Sequence, residues 1–276
     1  MTLSVFLIVL LAAFAHASWN AIVKSGADKL MTMALVAGTG SVLAALCLPF
    51  LPAPAPASWP YLAVSAVLQN VYFLLLTQAY RHADMSRTYP LMRGTAPLLV
   101  AGFGALVLGE HLPAAAWLGI AVLSMGILAT VRIGGEDGRG AAWALANAGV
   151  IATYTLSDGI GVRLSGAAAG YTLWVFLLGG LPISGWMLLR RGDTYLRYLA
   201  RNWRAGLIGG IGSIVSYGLA LWAMTQAPVA VVAALRETAI LFGLGIAVVM
   251  LGERPTAARI AGAVTIALGA VMLRLA

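Results

Sequence analysis

Five ionisable side chains stand where an apolar chain can least accommodate them. Arg93, Asp158, Arg236, Glu237 and His16 all lie within long hydrophobic stretches. Arginine is a fixed cation, so Arg93 and Arg236 each require an anion: a protein carboxylate, helix-end carbonyls, or the carboxylate or phosphonate of a ligand. Asp158 and Glu237 are candidates for charge pairing or for proton coupling. His16 is a candidate proton relay, or a histidine hydrogen-bonded within its bundle. No His, Cys or acidic residues recur at ligand spacing on one helix face, which argues against a metal site. Cys47 is the single cysteine, so neither an intramolecular disulfide nor a cysteine cluster can form.

A second set is uncharged and amphipathic. Trp19, Asn20, Gln69, Tyr72, Tyr154 and Tyr217 fall at mid-stretch positions, where a polar handle must find a partner and an aromatic face can wall a cavity for a small amphipathic ligand. Ordinary packing accounts for any one of them alone. Trp59, Tyr61, Trp117, Tyr195, Tyr198 and Trp203 lie nearer the stretch ends, as an interfacial aromatic belt would.

The elements that must position these groups follow from composition. Of 276 residues, 61% are hydrophobic and 9% charged, too little polar surface to clothe a globule in water. That excludes a soluble enzyme, a disordered chain and a nucleic-acid binder, despite a net charge of +8. Apolar runs of about 20 residues fall at roughly 3–22, 31–51, 60–80, 88–108, 112–131, 141–162, 169–189, 205–225, 228–250 and 256–275. They are continuous, not alternating, which excludes barrel strands. The expected fold is all-α and membrane-integral, with ten transmembrane helices.

The chain also repeats itself. An offset of 143, which carries Arg93 onto Arg236, carries Thr95 onto Thr238, Leu108-Gly109-Glu110 onto Leu251-Gly252-Glu253, Gly119 onto Gly262 and Gly126 onto Gly269 without a gap. Residues 1–133 and 134–276 therefore read as two five-helix units. Five is odd, so the second must insert upside down, the inverted repeat from which secondary transporters build a midplane site. Glu110 and Glu253, before tight connectors, are expected to cap the following helices, spans 5 and 10. Connectors after spans 1, 3, 5, 7 and 9 hold thirteen of the 17 Lys and Arg, against Arg163 and Arg274 on the other side. That bias places those five connectors in the cytoplasm and both termini outside.

These features carry a family resemblance. Two five-helix units, each with an Arg-bearing fourth helix ending in Leu-Gly-Glu and followed by a glycine-rich helix, resemble the drug/metabolite transporter superfamily, specifically its EamA-type ten-helix members. The strings Tyr-Pro-Leu-Met-Arg-Gly-Thr-Ala-Pro-Leu (89–98) and Ala-Leu-Arg-Glu-Thr (234–238) are similar to segments found there. The resemblance implies a carrier whose cavity is lined by spans 1, 3, 4, 6, 8 and 9, with spans 5 and 10 peripheral. It also implies cytoplasmic termini and export, the reverse of the charge bias. Segments 16–20 and 154–159 look like a subgroup associated with phosphonate use.

The expected function is secondary active transport of a small metabolite (an amino acid, organic acid or phosphonate-like solute) by alternating access in a bacterial-type inner membrane. The alternative is a non-transporting membrane scaffold. No Walker-type loop is present to energise transport by ATP. No enzymatic activity and no cofactor are expected, and the partners are the solute and membrane lipid.

Overall fold

The computed structural model describes residues 1–131, 138–252 and 255–276, and every regular element among them is helical. Arg132, Glu253 and Arg254 lie outside the described residues. The helices are α1 (Leu3–Ser25), α2 (Lys29–Cys47), α3 (Trp59–His82), α4 (Met85–Val107), α5 (Ala114–Leu128), α6 (Gly138–Ser165), α7 (Ala168–Met224), α8 (Val229–Arg236), α9 (Ala239–Leu251) and α10 (Ala257–Leu275). Among the described residues, seven helical spans are long and apolar enough to cross a bilayer, and α5 is a shorter apolar helix.

Local chemistry sets the helix ends. Asp28 accepts the Met31 N–H at the start of α2, and Thr2 and Thr256 cap α1 and α10 in the same way. Both Leu-Gly-Glu strings stop a helix with a left-handed glycine, Gly109 at φ 61° and Gly252 at φ 63°, a conformation that costs glycine little.

Two expected spans, 169–189 and 205–225, are joined in α7. At 57 residues a straight helix would reach about 85 Å, well beyond the roughly 30 Å of a hydrocarbon core. The path instead breaks at Gly192 (φ 41°) and Asn202 (φ −114°, ψ 17°). The segment between is held by buried Tyr195 and by a hydrogen bond between Tyr198 and Thr32 of 2.6 Å, so Tyr195 does not belong to a lipid-facing belt.

The expected span 228–250 is interrupted between α8 and α9. At Glu237, Thr238, Ile240 and Leu241 the backbone N–H groups reach back three residues instead of four, a local tightening of the helix. Arg236 and Glu237 sit at that break.

Packing joins the helices through small residues. α2 lies against α7, α3 against α6, and α5 against α10. A Cβ added at Gly126 would stand 2.9 Å from the Ile266 backbone nitrogen, and one at Gly269 would stand 2.6 Å from that of Leu123. Only glycine lets the α5 and α10 backbones approach so closely, and such contact replaces hydrophobic attraction as glue in lipid. The connectors around 108–113, 165–167 and 225–228 gather at one end of the bundle, hereafter the Glu110 end. The Gly192 segment lies at the other.

Candidate functional site

Arg93 enters the centre from α4, one turn after Tyr89, whose ring lies 6.0 Å from the guanidinium carbon. Across the centre its Nε is 2.8 Å from Glu237 Oε2. The N–H does not point along that line, so the contact is an ion pair and not an aligned hydrogen bond. Both side chains are nearly enclosed, at 12% and 6% exposure, where the attraction is far stronger than in water.

Arg236, the neighbour of Glu237 at the helix break, is placed differently. Its guanidinium lies 5.0 Å above the Tyr217 ring, a favourable cation–π contact. Its Nε is buried and has no hydrogen-bond partner among the described residues.

Tyr217 then leads to a second centre. Its hydroxyl donates to Asp158, which is fully buried and also accepts from Ser65 at 2.8 Å and Tyr171 at 3.0 Å. Three hydroxyl donors converging on one carboxylate suit its ionised form, which only accepts. Gln69 reaches the same centre by donating to Ser65 at 3.0 Å. Asp158 thus ties α3, α6 and both segments of α7 together, and its partners are hydroxyls where an arginine was an open alternative.

A cavity of about 20 Å³ lies between the two centres, lined by Arg93, Tyr154, Thr155, Arg236 and Glu237 with apolar walls from Pro97, Val100 and Ala233. That is room for a water and not for a metabolite. Tyr154 packs edge-to-face on Tyr72, with ring centroids 6.3 Å apart. His16 lies in the field of both arginines and carries Trp19 edge-on at 5.3 Å. Asn20 turns back to donate to the His16 carbonyl at 2.7 Å. Of the residues expected from the sequence, Arg93, Arg236, Glu237 and Tyr154 line the cavity. Tyr72 and Tyr217 touch lining residues, Asp158 and Gln69 connect through Tyr217 and Ser65, and Trp19 and Asn20 contact His16.

Sequence reasoning passed over Ser65, Tyr89, Thr155 and Tyr171. Tyr89 and Ser65 sit four residues before Arg93 and Gln69, one turn away on the same face, which is a readable signal. Tyr171 reaches Asp158 across a helix connection, and nothing in its spacing marks it.

Glu110 does not cap α5. Its carboxylate accepts the N–H groups of Val229 at 2.8 Å and Ala230 at 3.4 Å, the first turn of α8, and pairs with Arg163 at 3.0 Å. The αL turn at Gly109 directs the chain back over the bundle, and α8 presents the nearer free helix start.

The comparisons with known proteins agree with this architecture. The model of the EamA-like transporter family matches residues 3–132 and again 138–275. The chain belongs to the EamA-like transporter family. It is thereby a member of the drug/metabolite transporter superfamily, a multi-pass membrane protein and a membrane transporter. Among solved structures, one crystal structure of a protein is similar over 100% of this chain and 98% of its own, with a TM-score of 0.75 at 20% identity, a likeness of fold. No curated protein matches the chain.

Proposed function

We propose that this EamA-like protein is a secondary active transporter that moves a small solute bearing an anionic group by alternating access, built as two inverted five-helix repeats with ten spans. The observation that carries the proposal is the unpartnered Arg236 Nε, buried beside the Arg93–Glu237 pair at a break in a membrane-spanning helix. An enclosed guanidinium N–H without an acceptor is costly even on a half-buried arginine, and the cost is offset when a carboxylate or phosphonate supplies the acceptors bidentately. Interrupted helices at mid-membrane are where transporters bind solute. The family model matching twice, and the shared left-handed Leu-Gly-Glu stops, support the repeat.

In this reading Arg236 and Arg93 hold the anionic group, and Tyr72, Tyr154 and Tyr217 hold the body of the solute. Trp19, Asn20 and Gln69 join the wall when the site opens. Glu237 is the coupling carboxylate: solute bound at Arg93 displaces it, and the freed carboxylate takes a proton. Asp158 and His16 position the cluster. Amino acids, organic acids and phosphonates all fit the charge, and the membrane is a bacterial plasma membrane.

Thermal unfolding of detergent-purified protein with each solute class tests the proposal, because a ligand that binds only the folded state raises the Tm. A rise with an anionic solute, lost in Arg236→Gln, is the expected result. A solute whose stabilisation survives in both Arg236→Gln and Arg93→Gln would overturn the site. Cysteines at Tyr72 and Tyr154 that stay protected from both membrane faces would favour a scaffold.

A further inference from the structure

Resting on the reading of this chain as an alternating-access carrier, we infer that Glu110 and Arg163 are its gate residues at the Glu110 end, holding α8 shut over the site. Glu110 follows α4, and Arg163 lies in the last turn of α6. Together they enclose the connector between α7 and α8. Arg163 donates through Nε to the Met224 carbonyl at 2.8 Å, and through one terminal nitrogen to the Ala227 carbonyl and to Glu110, each at 3.0 Å. Glu110 in turn accepts the first two N–H groups of α8. The arginine thus satisfies carbonyls left free where α7 ends, and the carboxylate satisfies N–H groups left free where α8 begins. Each charge sits at the helix terminus whose dipole favours it.

What lies beneath makes this a gate and not a surface ornament. Val229 to Leu235 are all buried, and they form one apolar plug with Val100, Ala101, Leu156, Val162, Leu221 and Met224. α8 packs on α1, α4, α5 and α6. Val100 and Ala233 belong both to that plug and to the cavity wall, so a path from the Glu110 end to Arg93 and Arg236 requires α8 to leave α4. That movement takes its N–H groups off Glu110 and the connector carbonyls off Arg163. Solvent reaches the pair through Arg163, which is 35% exposed, while the Glu110 carboxylate is 8% exposed.

The test needs no transported solute. Cys47 is the single cysteine and is exposed, so Cys47→Ala gives a background free of thiols. Thr155→Cys then reports on the cavity, while Ala114→Cys and Thr194→Cys mark the Glu110 face and the opposite face. A membrane-impermeant thiol reagent is applied to right-side-out and to inside-out vesicles. Glu110→Gln and Arg163→Gln are expected to raise labelling of Thr155→Cys about tenfold or more from the face that labels Ala114→Cys, the equilibrium shift of a charge-assisted hydrogen bond. Arg163→Lys, which keeps a donor, should fall between them and the parent. Glu110→Gln retains an acceptor oxygen for α8, and an unchanged gel-filtration profile separates gating from misfolding. Labelling from that face unchanged in both Gln variants would overturn the gate, as would a rise confined to the other face. If instead Thr155→Cys is unreachable from either face in every variant, it is the carrier reading itself that falls.

Discussion

The two pieces of the interrupted helix, α8 and α9, form one span in sequence and two different environments in space. α8 is packed on every side, with each residue from Val229 to Leu235 buried and its first N–H groups bonded to a carboxylate. α9 packs on α1 and α10, and from Ile240 to Ile246 no residue is fully buried. Arg236 and Glu237 lie at the join. The difference teaches where this conformation keeps its rigidity. The Glu110 end is closed by a filled apolar layer and a polar clamp, whereas the α9 end is covered more loosely.

The comparison is most severely broken at Asp158, which ties α3, α6 and both segments of α7 together through Ser65, Tyr171 and Tyr217. Asp158→Leu would leave three enclosed hydroxyls without their acceptor. Each such loss costs about 1–3 kcal/mol, so the expected outcome is failure to recover monodisperse protein. Asp158→Asn keeps one acceptor oxygen and should be recovered with a lowered Tm. Equal Tm for Asn variant and parent would show that the hub does not hold the closed end.

Tyr217→Phe is milder and more informative. It removes one donor to Asp158 while leaving the ring beneath Arg236, and a hydrogen bond to a charged group is worth about 1.5–3 kcal/mol. Denaturation of the purified variant should show that loss. Anion-induced stabilisation through Arg236 should persist, because the cation–π seat is intact. Tyr217→Leu should lose both.

How much of this was legible beforehand depends on the kind of contact. Helices were readable from apolar length, and membership of the family from the Arg93 and Arg236 segments with their Leu-Gly-Glu strings, because those signals are local. The charged residues of the cavity were readable for the same reason: an arginine within an apolar helix announces itself. The partners of those charges were not. That Glu237 faces Arg93, and that Asp158 gathers hydroxyls from Ser65 and Tyr171, depends on how helices far apart in sequence cross. Glu110 shows the limit most clearly. Its position before a helix start was correct evidence for capping, but the nearest start in sequence, α5, is not the nearest in space. The break at residues 236–238 contains no proline or glycine, so only tertiary packing reveals it.

A smaller effect sharpens the contrast through one methyl group. Gly159 on α6 faces α8, and a Cβ there would stand 2.5 Å from Val229 Cγ2. Gly159→Ala should therefore cost about 1–3 kcal/mol by overpacking the closed end, reduced insofar as the valine side chain can shift, and should lower the Tm accordingly.

Gly245→Ala is the matched change on α9, and the smallest. Gly245 is exposed and no atom lies within 4 Å of where its Cβ would be, so the methyl meets nothing and the helix gains a better former. The propensity difference in water is about 1 kcal/mol in favour of alanine; in lipid, where backbone groups must bond within the helix in any case, the gain should be smaller. The Tm should be level or slightly raised. A fall in Tm matching that of Gly159→Ala would mean that α9 is as tightly seated as α8. The loose side of the bundle would then have to be sought on another helix, with the Glu110–Arg163 clamp no longer the feature that distinguishes the two ends.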